Sequence, residues 1–92
     1  MTLRKEPWGE TPTFEWNEGN REEIWKHGIR PFEVEECFEN ERTVIPHRKS
    51  GSEPAKYGDR YEVEGVTDGG RLLFIIVQHK GGNKVRVVTA IP

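Results

Sequence analysis

The longest uninterrupted apolar run in the chain is Leu-Leu-Phe-Ile-Ile-Val at residues 72–77. Six residues suit a β-strand and are too few for an ordinary helix. Three of them are β-branched and one is aromatic, which favours a pleated surface. Because successive side chains of a strand point to opposite faces, this strand is apolar on both faces. We therefore expect it to be the central strand of a sheet that is covered on both sides.

The N-terminal half of the chain predicts one short strand followed by two helices. Polar and apolar residues alternate at 13–16, which predicts the strand. Asn17 is a suitable N-cap for a first helix that ends near Gly28, since glycine readily takes the left-handed conformation that closes helices. A second helix is predicted over residues 31–39, because proline is tolerated in a first turn. Its acidic residues are expected to face solvent, namely Glu33, Glu35, Glu36 and Glu39.

The C-terminal half predicts an antiparallel meander around the apolar run. Strands are predicted at residues 43–45, 60–66 and 84–91, with glycine-rich turns on both sides of the central strand. The polar segment 47–59 is predicted to be a mobile loop. Helices followed by strands predict an α+β fold, with two N-terminal helices packed on one face of a twisted antiparallel sheet.

The length of 92 residues fits one domain. Residues 1–12 place prolines and a glycine among charges, which predicts a flexible N-terminal arm anchored by Trp8, and residues 13–92 are predicted to form the single domain. Cys37 is the lone cysteine, which excludes an internal disulfide and suits a reducing cytosol. It is expected to be a buried small hydrophobe.

The charge and hydropathy of the chain exclude several classes of protein. A formal net charge of −2 does not draw the whole chain to nucleic acid or to an anionic membrane, so an anion site needs local placement of cations. The apolar runs fall well short of the roughly 20 residues that cross a bilayer, and the first residues lack the apolar core of a secretory signal. We expect a cytoplasmic protein without membrane contact.

The sheet face without helices is predicted to be charged. Arg60, Glu62 and Glu64 alternate with apolar residues in one strand, as Lys84 and Arg86 do in another. Two interpretations are open: a binding or catalytic surface on a rigid sheet, or cross-strand ion pairs that each contribute about 0.2–1 kcal/mol. The histidines and acids have no compact ligand spacing, so no metal is assigned.

Two groups of motifs carry a resemblance to a known family. The first is Phe-Glu-Trp-Asn at 14–17, Asn20, Lys-His-Gly-Ile at 26–29, Phe32 and Phe38; the second is Arg60, Gly65, Gly-Arg-Leu-Leu-Phe at 70–74 and Lys-Val-Arg-Val-Val-Thr-Ala at 84–90. Together they resemble the BrnT toxin family over roughly residues 13–90. The helix end with Lys-His-Gly, combined with the last strand, carries most of the specificity.

The resemblance implies a toxin of a bacterial type II toxin–antitoxin pair with a RelE-like fold. Such toxins cut RNA without a metal or other cofactor and inhibit translation. An antitoxin of the BrnA kind covers the toxin and binds operator DNA, so contact with DNA is indirect, and a homodimer is also possible. Family members continue with an arginine and a charged helix, whereas Ile91 and Pro92 follow Ala90 here, which predicts weakened catalysis.

Metal-free RNA cleavage needs a base, an acid and cations that stabilise the charged phosphorane. The resemblance assigns the cationic role to Arg60 and Arg86, because a guanidinium binds two phosphate oxygens and stays charged. His27 or Lys26 would transfer a proton or contact the phosphate. Glu62 is a candidate base.

These roles have rivals. Glu64 is a second candidate base, and His79 is a weaker candidate acid. His27, beside Gly28, is equally interpreted as a residue that complements the helix end, and Lys26 as a solvated cation. A rival function is also open: the net charge and the absent arginine favour an inactive binding module that pairs with an antitoxin or with itself. A third is an RNA-binding regulator that does not cleave.

Overall fold

Five strands form one sheet in a computed structural model that describes residues 6–92. In chain order the strands and helices are β1 (Thr13–Glu15), α1 (Glu18–Trp25), α2 (Pro31–Cys37), β2 (Arg42–Pro46), α3 (Pro54–Tyr57), β3 (Arg60–Val66), β4 (Leu72–His79) and β5 (Lys84–Ile91). The spatial order of the strands is β1-β5-β4-β3-β2. The α+β class and the central position of the apolar strand β4 are confirmed.

The sheet is mixed, so the prediction of a wholly antiparallel sheet is wrong. β2, β3, β4 and β5 pair antiparallel as a meander, but β1 pairs parallel with β5, with Thr13 opposite Lys84. A parallel pair needs a long crossover connection. Here both long helices and three strands lie between the two partners, and they supply that connection.

The hydrophobic core lies between the sheet and the two longer helices. The sheet contributes Val63, Leu73, Ile75, Val77, Val85 and Val87, and the helical layer contributes Ile24, Ile29, Val34, Cys37 and Phe38. We call this side of the sheet the helix face and the opposite side the open face. Leu72 and Phe74, on the open face of β4, are 49% and 45% exposed. The expectation that β4 is covered on both sides is therefore wrong for residues 6–92.

Helix α1 begins and is fixed through Asn20. The backbone N–H of Asn20 donates to the Asn17 side chain, and the Asn20 side chain accepts from the Asn17 backbone, as a capping box does. The Asn20 amide also donates to the carbonyls of Glu15 (2.9 Å) and Val87 (3.1 Å). Since β1 stops pairing with β5 at Glu15, α1 takes over the edge of β5 from Val87 onward. After α1, Gly28 has φ 72°, as predicted.

Helix α2 approaches the sheet closely because Gly65 has no side chain. A Cβ built on Gly65 would lie 2.8 Å from the Cβ of Cys37, well inside normal contact. Cys37 is fully buried, and burial raises the pKa of its thiol to about 11. The prediction that Cys37 is a buried small hydrophobe is confirmed.

The acidic side of α2 is less free than predicted. Glu35 accepts from the indole of Trp16, Glu36 accepts from the backbone of Asp68, and Glu33 pairs with Arg71. These carboxylates tie the helix to β1 and to the β3–β4 turn, because they lie at its sides rather than its outer surface. Of this set, Glu39 alone matches the expected solvent-exposed position.

Part of the predicted N-terminal arm packs on the domain. Residues 1–5 of the arm lie outside the described residues. Trp8 is 2% exposed and contacts the rings of Phe38 and Tyr61, and Glu6 pairs with Arg42 at 2.9 Å. Trp8 is thus an anchor, as expected. None of the helices in residues 6–92 is long and apolar enough to cross a membrane.

Candidate functional site

Arg60 and Arg86 lie in one row across the open face. Arg60 of β3 and Arg86 of β5 are both paired with Gln78 of β4, one from each side. Residues directly opposite one another on neighbouring strands share a face. The prediction that both arginines lie on the same face of the sheet, opposite the hydrophobic core, is confirmed. Residues of α1 and α3 nevertheless reach this part of the face, at the pocket and at Tyr57.

A pocket of about 260 Å³ lies against these two arginines. The first turns of α1 contribute Gly19, Asn20 and Glu23, and β5 contributes Val87 and Val88 beside Arg86. The pairing between β4 and β5 shifts here, since Ile76 pairs with Thr89 and Val77 with Val87, which leaves Val88 as a bulge. Val88 thus lines the pocket together with Arg86 and the first turns of α1.

The Nε atoms of both arginines are buried and have no hydrogen-bond partner among residues 6–92. The nearest carboxylate to Arg86 is that of Glu15, with 3.9 Å between Oε2 and Nε, beyond hydrogen-bond distance. Arg60 forms no ion pair with the described residues. An unsatisfied buried donor costs about 1–3 kcal/mol. An anion that accepts hydrogen bonds from both Nε groups would remove this cost at each arginine.

Glu23 supplies the carboxylate of the pocket. It accepts from the Thr89 hydroxyl at 3.0 Å and from Lys26 Nζ at 3.3 Å, and its Oε2 lies 3.6 Å from Nε2 of His27. The hydrogen bond from Thr89 and then the contact with Lys26 lower the pKa of Glu23. Its charge and that of Glu15 beside Arg86 oppose an anion in the pocket, but the two guanidinium groups offer the free Nε donors that an anion needs.

Sequence reasoning did not select Glu23. The available signal was its spacing, because residues three and four apart on a helix are neighbours, and Lys26 and His27 stand at those two spacings. The structure thus joins the predicted residues Lys26 and His27 to the arginine pocket through Glu23. Both side chains lie at the exposed end of α1, and Lys26 is 70% exposed, so the simple interpretation as helix-end groups also fits their positions.

Glu62 is engaged elsewhere. Its carboxylate accepts from the backbone and guanidinium of Arg48 at 3.0–3.4 Å. These hydrogen bonds lower the pKa of Glu62, which makes it a weak proton acceptor. It lines a different cleft, and the structure does not bring it into the Arg60–Arg86 pocket. The candidate acid His79 lies near Trp8 and the Gly82 carbonyl.

A second, apolar cleft of about 330 Å³ lies on the open face. Its floor includes Ile45, Phe74, Ile76 and Ile91, and three of these side chains are 44–48% exposed. The cleft is bordered by Arg48, Glu62 and Glu64. An exposed apolar surface with a polar rim is typical of protein interaction sites.

Within residues 6–92, no group of three or more His, Cys, Asp or Glu side chains is placed to hold a metal ion. The chain matches no family model, no curated protein and no solved structure. The likeness to BrnT toxins stays a prediction from sequence motifs.

Proposed function

We propose that the protein is a metal-independent ribonuclease with a RelE-like arrangement, acting as a BrnT-like toxin that inhibits translation. The observation that carries the proposal is the pair of buried, unpartnered Nε atoms of Arg60 and Arg86 in one pocket. A phosphodiester offers the oxygens that these donors lack, and guanidinium groups bind phosphate oxygens with matched geometry.

The chemistry assigned to the two arginines is charge stabilisation. The RNA 2′-oxygen attacks the neighbouring phosphorus, a new P–O bond forms, and the bond to the 5′-oxygen of the next nucleotide breaks. Negative charge builds on the non-bridging oxygens during this step. Fixed donors aimed at that charge typically contribute a factor of about 10²–10³ each. The products are a 2′,3′-cyclic phosphate and a 5′-hydroxyl.

Proton transfer is assigned to His27. A base takes the 2′-hydroxyl proton, and an acid returns a proton to the leaving 5′-oxygen. Glu23, 3.6 Å from Nε2 of His27 and lining the pocket, orients the imidazole as a positioning residue. Lys26 contributes positive charge beside the same carboxylate. Glu62 is assigned a structural role through Arg48 in place of the role of base.

The assay is cleavage of a mixed-sequence RNA in EDTA. We expect fragments with 5′-hydroxyl ends, which a polynucleotide kinase labels without prior phosphatase treatment, and we expect a cell-free translation reaction to stop. RNA that stays intact in EDTA, or fragments that carry 5′-phosphates, would exclude the proposed mechanism. A variant with both arginines replaced by glutamine is the control for contaminating nuclease.

A protein antitoxin of the BrnA kind is the proposed partner, with RNA as substrate and DNA reached only through the antitoxin. The apolar cleft at Phe74 supports this assignment, because it lies on the same face as the arginine pocket. A partner seated in the cleft would cover the approach to Arg60 and Arg86. Binding and inhibition would then be one event.

The apolar cleft also favours a second candidate function, a non-catalytic module that binds an antitoxin or a second copy of itself. Size-exclusion chromatography with light scattering measures the mass of any complex that the protein forms. It is run at several protein concentrations, with and without a candidate antitoxin. The informative variant is Phe74→Ser. Its matched control is Leu72→Ser, since Leu72 is equally exposed on the same strand but does not line the cleft. A complex lost in both variants, or in neither, would argue against the cleft as the interface.

A further inference from the structure

Three cationic side chains surround the ring of Tyr57. Lys49 Nζ lies 5.5 Å, Lys56 Nζ 5.2 Å and Arg60 Cζ 5.5 Å from the ring centroid. No two of them are farther apart than twice 5.5 Å, or 11 Å. This is close to the screening length of about 8–10 Å in physiological salt, so their fields add. We call these four residues the Tyr57 cluster.

The cations of the Tyr57 cluster lack acidic partners. None of the three forms an ion pair with the described residues, although the whole chain is net negative. Two carboxylates lie between Lys49 and Arg60 in the sequence: Glu53, which is exposed, and Asp59, which accepts from Gln78. Arg48, the neighbouring cation, is already paired with Glu62. The cluster is therefore a local positive excess that favours an anionic ligand.

The ring of Tyr57 serves as a support and not as a platform for a base. The imidazole of His47 stacks on it, with 4.5 Å between centroids and 17° between planes. The three cations lie 5.2–5.5 Å from the ring centroid, within the range of cation–π contact. A ligand of this cluster is consequently recognised through its phosphates, whatever its base sequence.

Arg60 belongs to both sites. Its guanidinium lies over Tyr57, and its side chain lines the pocket shared with Arg86. We propose that Lys49 and Lys56 each bind a backbone phosphate of the RNA strand, next to the phosphate held between Arg60 and Arg86. This inference rests on the proposed function, and it adds a sequence-independent strand contact made by the β2–β3 loop.

The test measures binding separately from cleavage. A fluorescent 2′-O-methyl RNA of about 12 nucleotides, within the range of single-strand site sizes, lacks the attacking hydroxyl and cannot be cut. Its anisotropy with the full chain gives Kd over a series of salt concentrations. Each phosphate contact to a single strand contributes about 0.7 to the slope of log affinity against log salt, so the double variant Lys49→Gln, Lys56→Gln should lower the slope by about 1.4. At about 0.1 M salt this is roughly 25-fold weaker binding.

The matched control is the double variant Lys80→Gln, Lys84→Gln. It removes the same charge from two exposed lysines at the β4–β5 turn, outside the Tyr57 cluster, and should leave the slope unchanged. Equal loss in both double variants, no loss in either, or no binding of the RNA by the parent chain would overturn the inference. Competition by a polyglutamate peptide as effective as the RNA would also overturn it, and would indicate an acidic protein as ligand.

The two proposals fail differently. If the parent chain does not cleave RNA but the Lys49, Lys56 variant loses salt-dependent binding, the ribonuclease proposal falls and the phosphate contact stands. If the parent cleaves RNA in EDTA and the Lys49, Lys56 variant keeps the parental salt slope, the ribonuclease proposal is supported and the phosphate contact is excluded. Thermal unfolding of each variant shows whether the fold is kept.

Discussion

Arg60 and Arg86 stand on opposite sides of one residue, Gln78, in a single row across the sheet. Two like charges at such positions, each with a buried Nε that bonds to no described residue, are not arranged for stability. Opposite charges at facing positions of neighbouring strands stabilise a sheet; Arg86 faces Glu15 only at 3.9 Å, and Arg60 forms no ion pair with the described residues. The row is better explained by a ligand that brings its own negative charge.

Replacing Arg60 or Arg86 by glutamine is predicted to lower RNA cleavage in EDTA by about 10²–10³-fold each, because one phosphate donor is lost. Stability should not fall, because each substitution removes a buried donor whose unmet cost is about 1–3 kcal/mol and loses only a weak contact, with Glu15 or with Tyr57. Single-turnover cleavage and urea unfolding measure the two effects. Lys84→Gln, an exposed cation on the strand of Arg86, is the control and should keep near-parental activity. Equal loss in the control would mean that net charge, and not the row, matters.

Replacing Asn20 by alanine is predicted to destabilise the protein by about 2–3 kcal/mol. The change removes the half of the capping box in which the Asn20 side chain accepts from the Asn17 backbone N–H, and it leaves the Glu15 and Val87 carbonyls without their amide donor. Urea unfolding measures the difference. Asn83→Ala is the control, since Asn83 is exposed and water replaces its bonds to Thr11 and Thr13; a cost as large as that at Asn20 would contradict the account.

Replacing Gly65 by alanine is predicted to cost about 1–3 kcal/mol, because the new methyl group would meet the Cβ of Cys37 and push α2 from the sheet. Gly69→Ala is the matched control. Nothing lies nearer than 3.8 Å to a Cβ at Gly69, and its φ is not in the left-handed region. Urea midpoints of the two variants give the comparison, and equal midpoints would show that α2 adjusts freely.

Replacing Glu62 by glutamine is predicted to remove a pH-dependent contribution to stability. Hydrogen bonds from Arg48 lower the pKa of Glu62 below its ordinary 4.5, so the ionised form is favoured in the folded state. The contribution, about 0.2–1 kcal/mol for a partly exposed pair, is present above the ordinary pKa and is lost as pH falls through the lower, folded-state value.

Urea unfolding at neutral pH and at stepwise lower pH tests this. The variant should be less stable than the parent at neutral pH, and the two should converge in acid. Glu64→Gln is the control, because Glu64 is an exposed neighbour on the same strand without an ion pair among residues 6–92. A difference that persists or grows in acid would refute the assignment.

Much of the sheet follows from local patterns, because alternation sets strand position and side-chain direction together. The shared face of Arg60 and Arg86 was predictable for that reason. The parallel pairing of β1 was not, since it depends on a partner strand that is remote in sequence. The bulge at Val88 could not be predicted either, because one extra residue in a strand leaves the polar–apolar alternation before it unchanged.

The candidate site was predictable only in part. The residue type and the strand alternation were enough to select Arg60 and Arg86 from the sequence. Glu23 lines the pocket because α1 lies at the edge of β5, and that tertiary arrangement cannot be read from local sequence. The charges of the β2–β3 loop gave no sign that they gather at Tyr57. A loop predicted to be mobile instead contains α3, and its residues meet around one ring.

The pairing of β1 with β5 has a consequence for synthesis of the chain. Thr13 leaves the ribosome early, but its sheet partner Lys84 follows only after every other strand has been made. Until then α1 has no carbonyl of Val87 to hold it. Any activity that needs the pocket must therefore wait for translation of β5, because until then the nascent chain contains Arg60 but not Arg86.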